Sequence, residues 1–72
     1  MTLEATNYVN AAARCMNMSR MYKSAGTKRM DARADAMNEK LQSHIEKIME
    51  LTGLSWSDAR EAVQQRYEQV FC

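Results

Sequence analysis

The chain contains no proline and only two glycines, Gly26 and Gly53, among its 72 residues. Proline and glycine interrupt helices most strongly, so the long stretches on either side of these glycines favour an all-α fold. Leucine, isoleucine, valine and phenylalanine are few, and alanine and methionine make up much of the apolar fraction. One core of this size rarely contributes more than about 3–5 kcal/mol. We therefore predict a single small helical domain, 1–72, that associates as a homodimer.

Residues that commonly carry chemistry are also scarce. The chain has one histidine, His44, and two distant cysteines, Cys15 and Cys72, and it has no glycine-rich phosphate loop. One histidine cannot supply a paired metal-binding motif, and two such cysteines do not form a disulfide framework. We predict that His44 flanks the core or contacts a dimer partner, and that Cys15 is a small buried side chain. No enzyme activity, metal or cofactor is expected.

The sequence also lacks the segments that direct a chain into or across a membrane. Its first residues show no basic segment followed by an apolar run, which is the pattern of a secretory signal. No uninterrupted apolar stretch approaches the length of a membrane span. With both thiols expected to be reduced, these features predict a cytoplasmic protein.

The segment between Thr27 and Gly53 shows the clearest periodic pattern. Its apolar residues recur every three or four positions and so lie along one side of an α-helix, while charged residues cover the other sides. We term this apolar side the helix-two face. It consists of Met30, Ala34, Met37, Leu41, Ile45, Ile48 and Leu51. Thr27 can cap the start of the helix and Gly53 can end it, which predicts a helix over about 28–52.

Two further helices flank this one. Thr2 can cap a helix over about 3–24, and Ser55 begins a capping-box pattern before a helix over about 56–70. The short connection 24–27 makes the first two helices antiparallel neighbours. The predicted architecture is a helical hairpin plus a third helix, forming a dimeric helical bundle. The expected dimer or core residues are Leu41, His44, Ile45, Ile48, Trp56 and Tyr67.

Charge is distributed unevenly, although the formal net charge is only +1. Residues 1–33 carry six cations against two carboxylates, whereas residues 34–72 carry four cations against seven carboxylates. A basic cluster surrounds the first turn and consists of Arg20, Lys23, Lys28, Arg29 and Arg33. Such a cluster can contact phosphates, although no aromatic-rich or glycine-rich RNA-binding motif accompanies it. Binding of DNA or RNA is therefore the alternative function.

Methionine is frequent, with seven residues in the chain. Met18, Met21 and Met49 fall outside the predicted apolar sides of their helices. Exposed thioether side chains are flexible and suit contact with irregular partner surfaces. Together with nearby cations they indicate a mixed apolar and basic patch that binds another protein. This predicted partner patch consists of Met18, Arg20, Met21, Tyr22, Lys23 and Arg29.

The segment 51–59 resembles the turn of helix-turn-helix DNA-binding proteins, with Gly53 at the turn and small residues after it. The resemblance implies a corner that presents a helix to DNA. The sequence departs from that motif at Met49, where a small residue is usual. Asp58 and Glu61 also lie near the start of the following helix, where they oppose contact with phosphates. These departures favour a structural role for the corner.

The chain as a whole is very short, rich in methionine, free of proline and poor in catalytic groups. In these respects it is similar to small phage-encoded helical proteins that bind and disable host components. That resemblance implies antagonism of another protein. We therefore expect a non-enzymatic protein that inhibits or modulates a partner, a host regulator, by occupying a functional surface.

Overall fold

The computed structural model describes residues 1–72 and contains three α-helices and no strands. Helix α1 spans Leu3–Ser24, α2 spans Lys28–Thr52 and α3 spans Trp56–Phe71. The prediction of an all-α fold is confirmed, and α3 ends one residue beyond the predicted position 70. None of the three helices combines the length and the apolar character that a membrane crossing needs.

Side-chain caps define where the helices begin. The hydroxyls of Thr2, Thr27 and Ser55 each accept a hydrogen bond, at 3.2 Å, from the backbone N–H three residues ahead. These bonds satisfy N–H groups that have no partner inside the helix. Helix α2 ends at Gly53, whose φ of 74° is left-handed and whose N–H donates to the Met49 carbonyl at 2.8 Å. The turns thus follow from local sequence.

Helices α1 and α2 form an antiparallel hairpin joined by side-chain contacts. Near the turn, the Ser19 hydroxyl donates to Oδ1 of Asn38 at 2.9 Å. Further from the turn, the rings of Tyr8 and His44 pack with their centres 5.9 Å apart. Helix α3 packs against both members of the hairpin, more extensively against α1 than against α2.

The three helices close one core within a single chain. Ala5, Ala12, Ala34 and Ala59 have no exposed surface, and such small side chains let neighbouring helices approach closely. The largest fully buried side chains come from α2 and α3. They are Ile45, Ile48 and Val63. The scarcity of bulky residues is therefore accommodated by close packing of helices.

The structure corrects the dimer contact predicted for the helix-two face. Leu41, Ile45 and Ile48 lie in the core and expose 6%, 0% and 0% of their surface, so a second chain cannot reach them without opening the fold. Tyr67 is buried beside them. The total exposed area is 4723 Å² for 8.3 kDa. A folded monomer of that mass exposes about 4,600 Å² by the usual size scaling, so the area requires no second copy.

Two of the remaining predicted dimer or core residues lie at the surface or at the edge of the core. Trp56 is 44% exposed, and its indole N–H donates to Oε1 of Gln42 at 3.3 Å. His44 is half-buried against Tyr8 of the same chain. His44 thus flanks the core, whereas Trp56 stays accessible to other molecules.

Met49 differs from its predicted position outside the apolar side of α2. Its side chain is half-buried and packs against the core. Met49 lies one turn after Ile45, next to the corner at which Leu54 also packs against the core. The periodicity of α2 alone does not include this corner.

Candidate functional site

The structure divides the predicted partner patch between different sides of α1. Met18 and Met21 lie on the outer side, where they are 40% and 62% exposed. Arg20 and Lys23 instead line a groove in which α1 meets residues of α2 and α3. Because successive residues of a helix are rotated by about 100°, residues close in sequence point in different directions. The methionines and these two cations therefore do not form one surface.

The other two members of the predicted patch differ from each other in burial and in position. Tyr22 is half-buried, so most of its ring is not available to a partner. Arg29 is exposed on the first turn of α2, after the connection at Gly26. Tyr22 follows Met18 by one turn of α1, whereas Arg29 lies beyond the connection, and neither residue lines the groove.

A second set of exposed apolar residues lies at the end of α3. Val70 and Phe71 are 55% and 37% exposed, and with Arg14 of α1 they line a shallow cavity of about 220 Å³. Met18 and Met21 follow Arg14 by one and two turns along the same side of α1. We term Met18, Met21, Val70 and Phe71 the apolar face. Arg14 lines the cavity with Val70 and Phe71 and lies one turn before Met18.

Sequence reasoning did not assign the α3 half of this face. Val70 lies three residues after Tyr67 on α3. It lies about one turn beyond Tyr67, the last buried residue of the helix, and remains uncovered. The signal in the sequence was the succession of two large apolar residues, Val70 and Phe71, because adjacent residues of a helix point to different sides.

Aromatic packing holds Phe71 in place although the residue is exposed. The rings of Phe71 and Tyr67 stack with their centres 5.7 Å apart and an angle of 30° between their planes. The guanidinium carbon of Arg20 lies 4.4 Å from the centre of the same Tyr67 ring. Tyr67 therefore contacts both the apolar face and the groove.

The groove, which we term the basic groove, has a volume of about 300 Å³. It is lined by Met16, Ser19, Arg20, Lys23, Asn38, Leu41 and Arg60. No carboxylate is among these residues. The only ion pair in the chain joins Lys47 to Glu50 at 3.6 Å, so none of the three cations in the groove has an acidic partner.

The outer side of α3 is acidic. Asp58, Glu61 and Glu68 are exposed, and helical spacing places them together on the side opposite the core. This is the helix that the helix-turn-helix resemblance would place in a DNA groove. Its outward carboxylates repel phosphates, and that charge favours a structural role for the corner at Gly53.

The largest concave surface lies beside that corner. It has a volume of about 620 Å³ and is formed by the start of α1 together with the end of α2 and the following turn. The lining residues are Met1, Thr2, Leu51, Thr52 and Leu54. This surface presents apolar carbons and two hydroxyl groups, with no charged or nucleophilic side chain that would support a reaction.

The groups most capable of chemistry are separated from one another. Cys15 is buried, and this burial raises the pKa of its thiol, while the positive charges of Lys40 and Arg14 oppose the shift. A thiol with a raised pKa is a poor nucleophile, because the thiolate is the reactive form. Cys72 is exposed. No three histidine, cysteine, aspartate or glutamate side chains come together in a way that could hold a metal ion.

Comparison of the chain with protein-family models, with curated proteins and with solved structures finds no match.

Proposed function

We propose that the chain is a non-enzymatic protein-binding module that inhibits or modulates a partner protein by occupying a functional surface. The observation that carries this proposal is the apolar face. Four large apolar side chains remain exposed there, although the same chain buries Leu41, Ile45 and Ile48 of its helix-two face in a core. Clustered exposed apolar side chains on a soluble domain are typical of interaction sites.

The chemistry of the apolar face suits recognition of a protein. Phe71 is a large ring held by its stack on Tyr67, so little conformational freedom is lost when a partner covers it. Met18 and Met21 are flexible and can adapt to the shape of the partner. Aromatic residues, methionine and arginine are enriched at protein interfaces, and Arg14 supplies the arginine.

The class of partner follows from the sequence expectations. We propose a cytoplasmic partner, a host regulator, in keeping with the resemblance to small phage-encoded antagonists. A homodimer also stays a prediction. Because Leu41, Ile45 and Ile48 are buried, such a dimer would have to use exposed residues such as Trp56.

Affinity capture with matched variants tests the proposal. We expect immobilised wild-type chain to retain a partner from cell extract, and the double variant Met21→Ser with Phe71→Ser to lose it. The control is Leu3→Ser, because Leu3 is 78% exposed on the same helix but lies near its other end. Circular dichroism should show the same helix content for all three proteins.

The outcomes of this capture separate the candidate surfaces. Loss of the partner from the double variant alone supports binding through the apolar face. Full retention by the double variant contradicts it. If Leu3→Ser alone loses the partner, the contact lies at the opposite end of α1, and the proposal is also contradicted.

Binding of DNA or RNA is the second candidate function. It is favoured by the exposed cations Lys28, Arg29 and Arg33, none of which has an acidic partner within ion-pair distance. Phosphate contacts release counterions, so such binding weakens steeply as salt rises. Contact through the apolar face is less sensitive to salt. Binding measured at several salt concentrations therefore distinguishes the two functions.

A further inference from the structure

We infer that the basic groove is a binding site for a phosphate group. This site is distinct from the proposed protein-binding surface, because the groove and the cavity at Phe71 share no lining residue. The inference therefore does not depend on the apolar face being an interaction surface.

The charged groups that line the groove are all hydrogen-bond donors. Arg20, Lys23 and Arg60 contribute guanidinium and ammonium groups, which have no acceptor atoms. Oδ1 of Asn38 already accepts from the Ser19 hydroxyl at 2.9 Å, which leaves the amide NH₂ group of Asn38 as a further donor. A concave surface with several donors and no carboxylate favours an anion.

Arg60 gives the strongest indication that a ligand is missing. It is half-buried, yet it makes no hydrogen bond and no ion pair within the chain. Arg66 lies on the same helix and is also half-buried, but it donates to Oδ1 of Asn10 at 2.8 Å and to Oε1 of Gln69 at 3.3 Å. One arginine is thus satisfied by the fold, whereas the other has unused donors that face the groove.

Two features prepare the groove for an anion. Contact with the Tyr67 ring restrains the Arg20 guanidinium, so part of the entropic cost of ordering it is already met. The apolar side chains of Met16 and Leu41 form part of the wall. A less polar wall strengthens electrostatic attraction compared with open water.

The number of cations favours phosphate over a single carboxylate. Phosphate carries up to two negative charges and more acceptor oxygens than a carboxylate, and arginine binds such groups through paired hydrogen bonds. A volume of about 300 Å³ accommodates one phosphate group together with part of the molecule that carries it. The phosphate can be a free ion or part of a phosphorylated side chain, and these sources share the same chemistry.

Titration at constant ionic strength tests the inference. Inorganic phosphate and N-acetyl phosphoserine are added to the full chain while the side-chain N–H resonances of its arginines are followed by NMR. We expect the Arg60 resonance to shift with saturation, and Arg60→Gln to weaken binding by about tenfold or more, as loss of a charged hydrogen bond predicts. Arg29→Gln is the matched control, because it removes the same charge outside the groove and should change affinity by less than about twofold.

Each outcome has a defined meaning. Tighter binding of phosphoserine identifies a side-chain phosphate as the source, and equal affinity identifies the free ion; both support the site. Equal weakening by Arg60→Gln and Arg29→Gln shows diffuse attraction by the whole basic cluster and overturns it. The absence of a saturating shift at Arg60 also overturns it. Arg60→Lys, which keeps the charge but not the paired donors, should bind with intermediate affinity if the fold is unchanged.

Discussion

The guanidinium carbon of Arg20 lies 4.4 Å from the centre of the Tyr67 ring, which joins α1 to α3 through a cation–π contact. Tyr67 is buried, whereas Arg20 is exposed to solvent. The same tyrosine stacks on Phe71. One ring therefore positions a cation of the basic groove and an aromatic side chain of the apolar face.

The contribution of this contact to stability can be measured with a double-mutant cycle. We expect Arg20→Gln to lower the free energy of unfolding by about 0.5–1 kcal/mol, the usual range for a partly exposed cation–π pair. In a Tyr67→Leu background the same substitution should have almost no effect, because the ring is gone. Urea unfolding of the wild type, the two single variants and the double variant gives the free energies of unfolding that the cycle compares. An equal cost in both backgrounds would show that Arg20 stabilises the fold in another way.

The core closes within one chain, and Ile48 tests this point. Ile48 has no exposed surface, so Ile48→Val should lower the free energy of unfolding by about 0.5–1.5 kcal/mol. The cost of this substitution should be the same at low and at high chain concentration, because no partner chain covers this residue. Fluorescence of the single tryptophan, Trp56, follows the transition. A cost of Ile48→Val that changes with chain concentration would contradict a core completed within the monomer.

Stability at alkaline pH should depend on Cys15. Burial raises the pKa of this thiol above its value in the unfolded chain, so the folded state retains the proton longer. The resulting stabilisation is fully present below the unfolded pKa and is lost as the pH rises through the folded pKa.

We therefore expect the free energy of unfolding of the wild type to fall more steeply above the ordinary thiol pKa than that of Cys15→Ala. Urea midpoints measured from neutral to alkaline pH check this difference. Cys72→Ala is the matched control for removal of a thiol, because Cys72 is exposed and lies outside the core. Parallel curves for the wild type and Cys15→Ala would show that burial does not affect the thiol.

Features set by neighbouring residues were predictable from the sequence. The caps at Thr27 and Ser55 and the left-handed Gly53 each depend on a few adjacent positions. The spacing of Ile45 and Ile48 along α2 likewise identified the side that is buried. Local turn chemistry and helical periodicity were therefore sufficient to place the helices.

Features that depend on how α3 packs were not predictable in this way. Arg66 and Asn10 are 56 positions apart in the chain, and no local pattern indicates their hydrogen bond. The packing of α3 also decides which side of α1 is covered, because α3 contacts the side that carries Arg20 and leaves Met21 exposed. Periodicity identifies the sides of a helix, but only tertiary packing decides which of them a neighbour covers.

Methionine methyl resonances test most directly whether the apolar face is the binding surface, because the chain contains seven methionines. Once capture has supplied a partner, it is added to the chain labelled with ¹³C at the methionine methyl groups. The methyl groups of Met18 and Met21 should shift or broaden, whereas that of Met16, which is 3% exposed, should change little. Unchanged signals of Met18 and Met21 in the presence of a bound partner would contradict a protein-binding role for the apolar face.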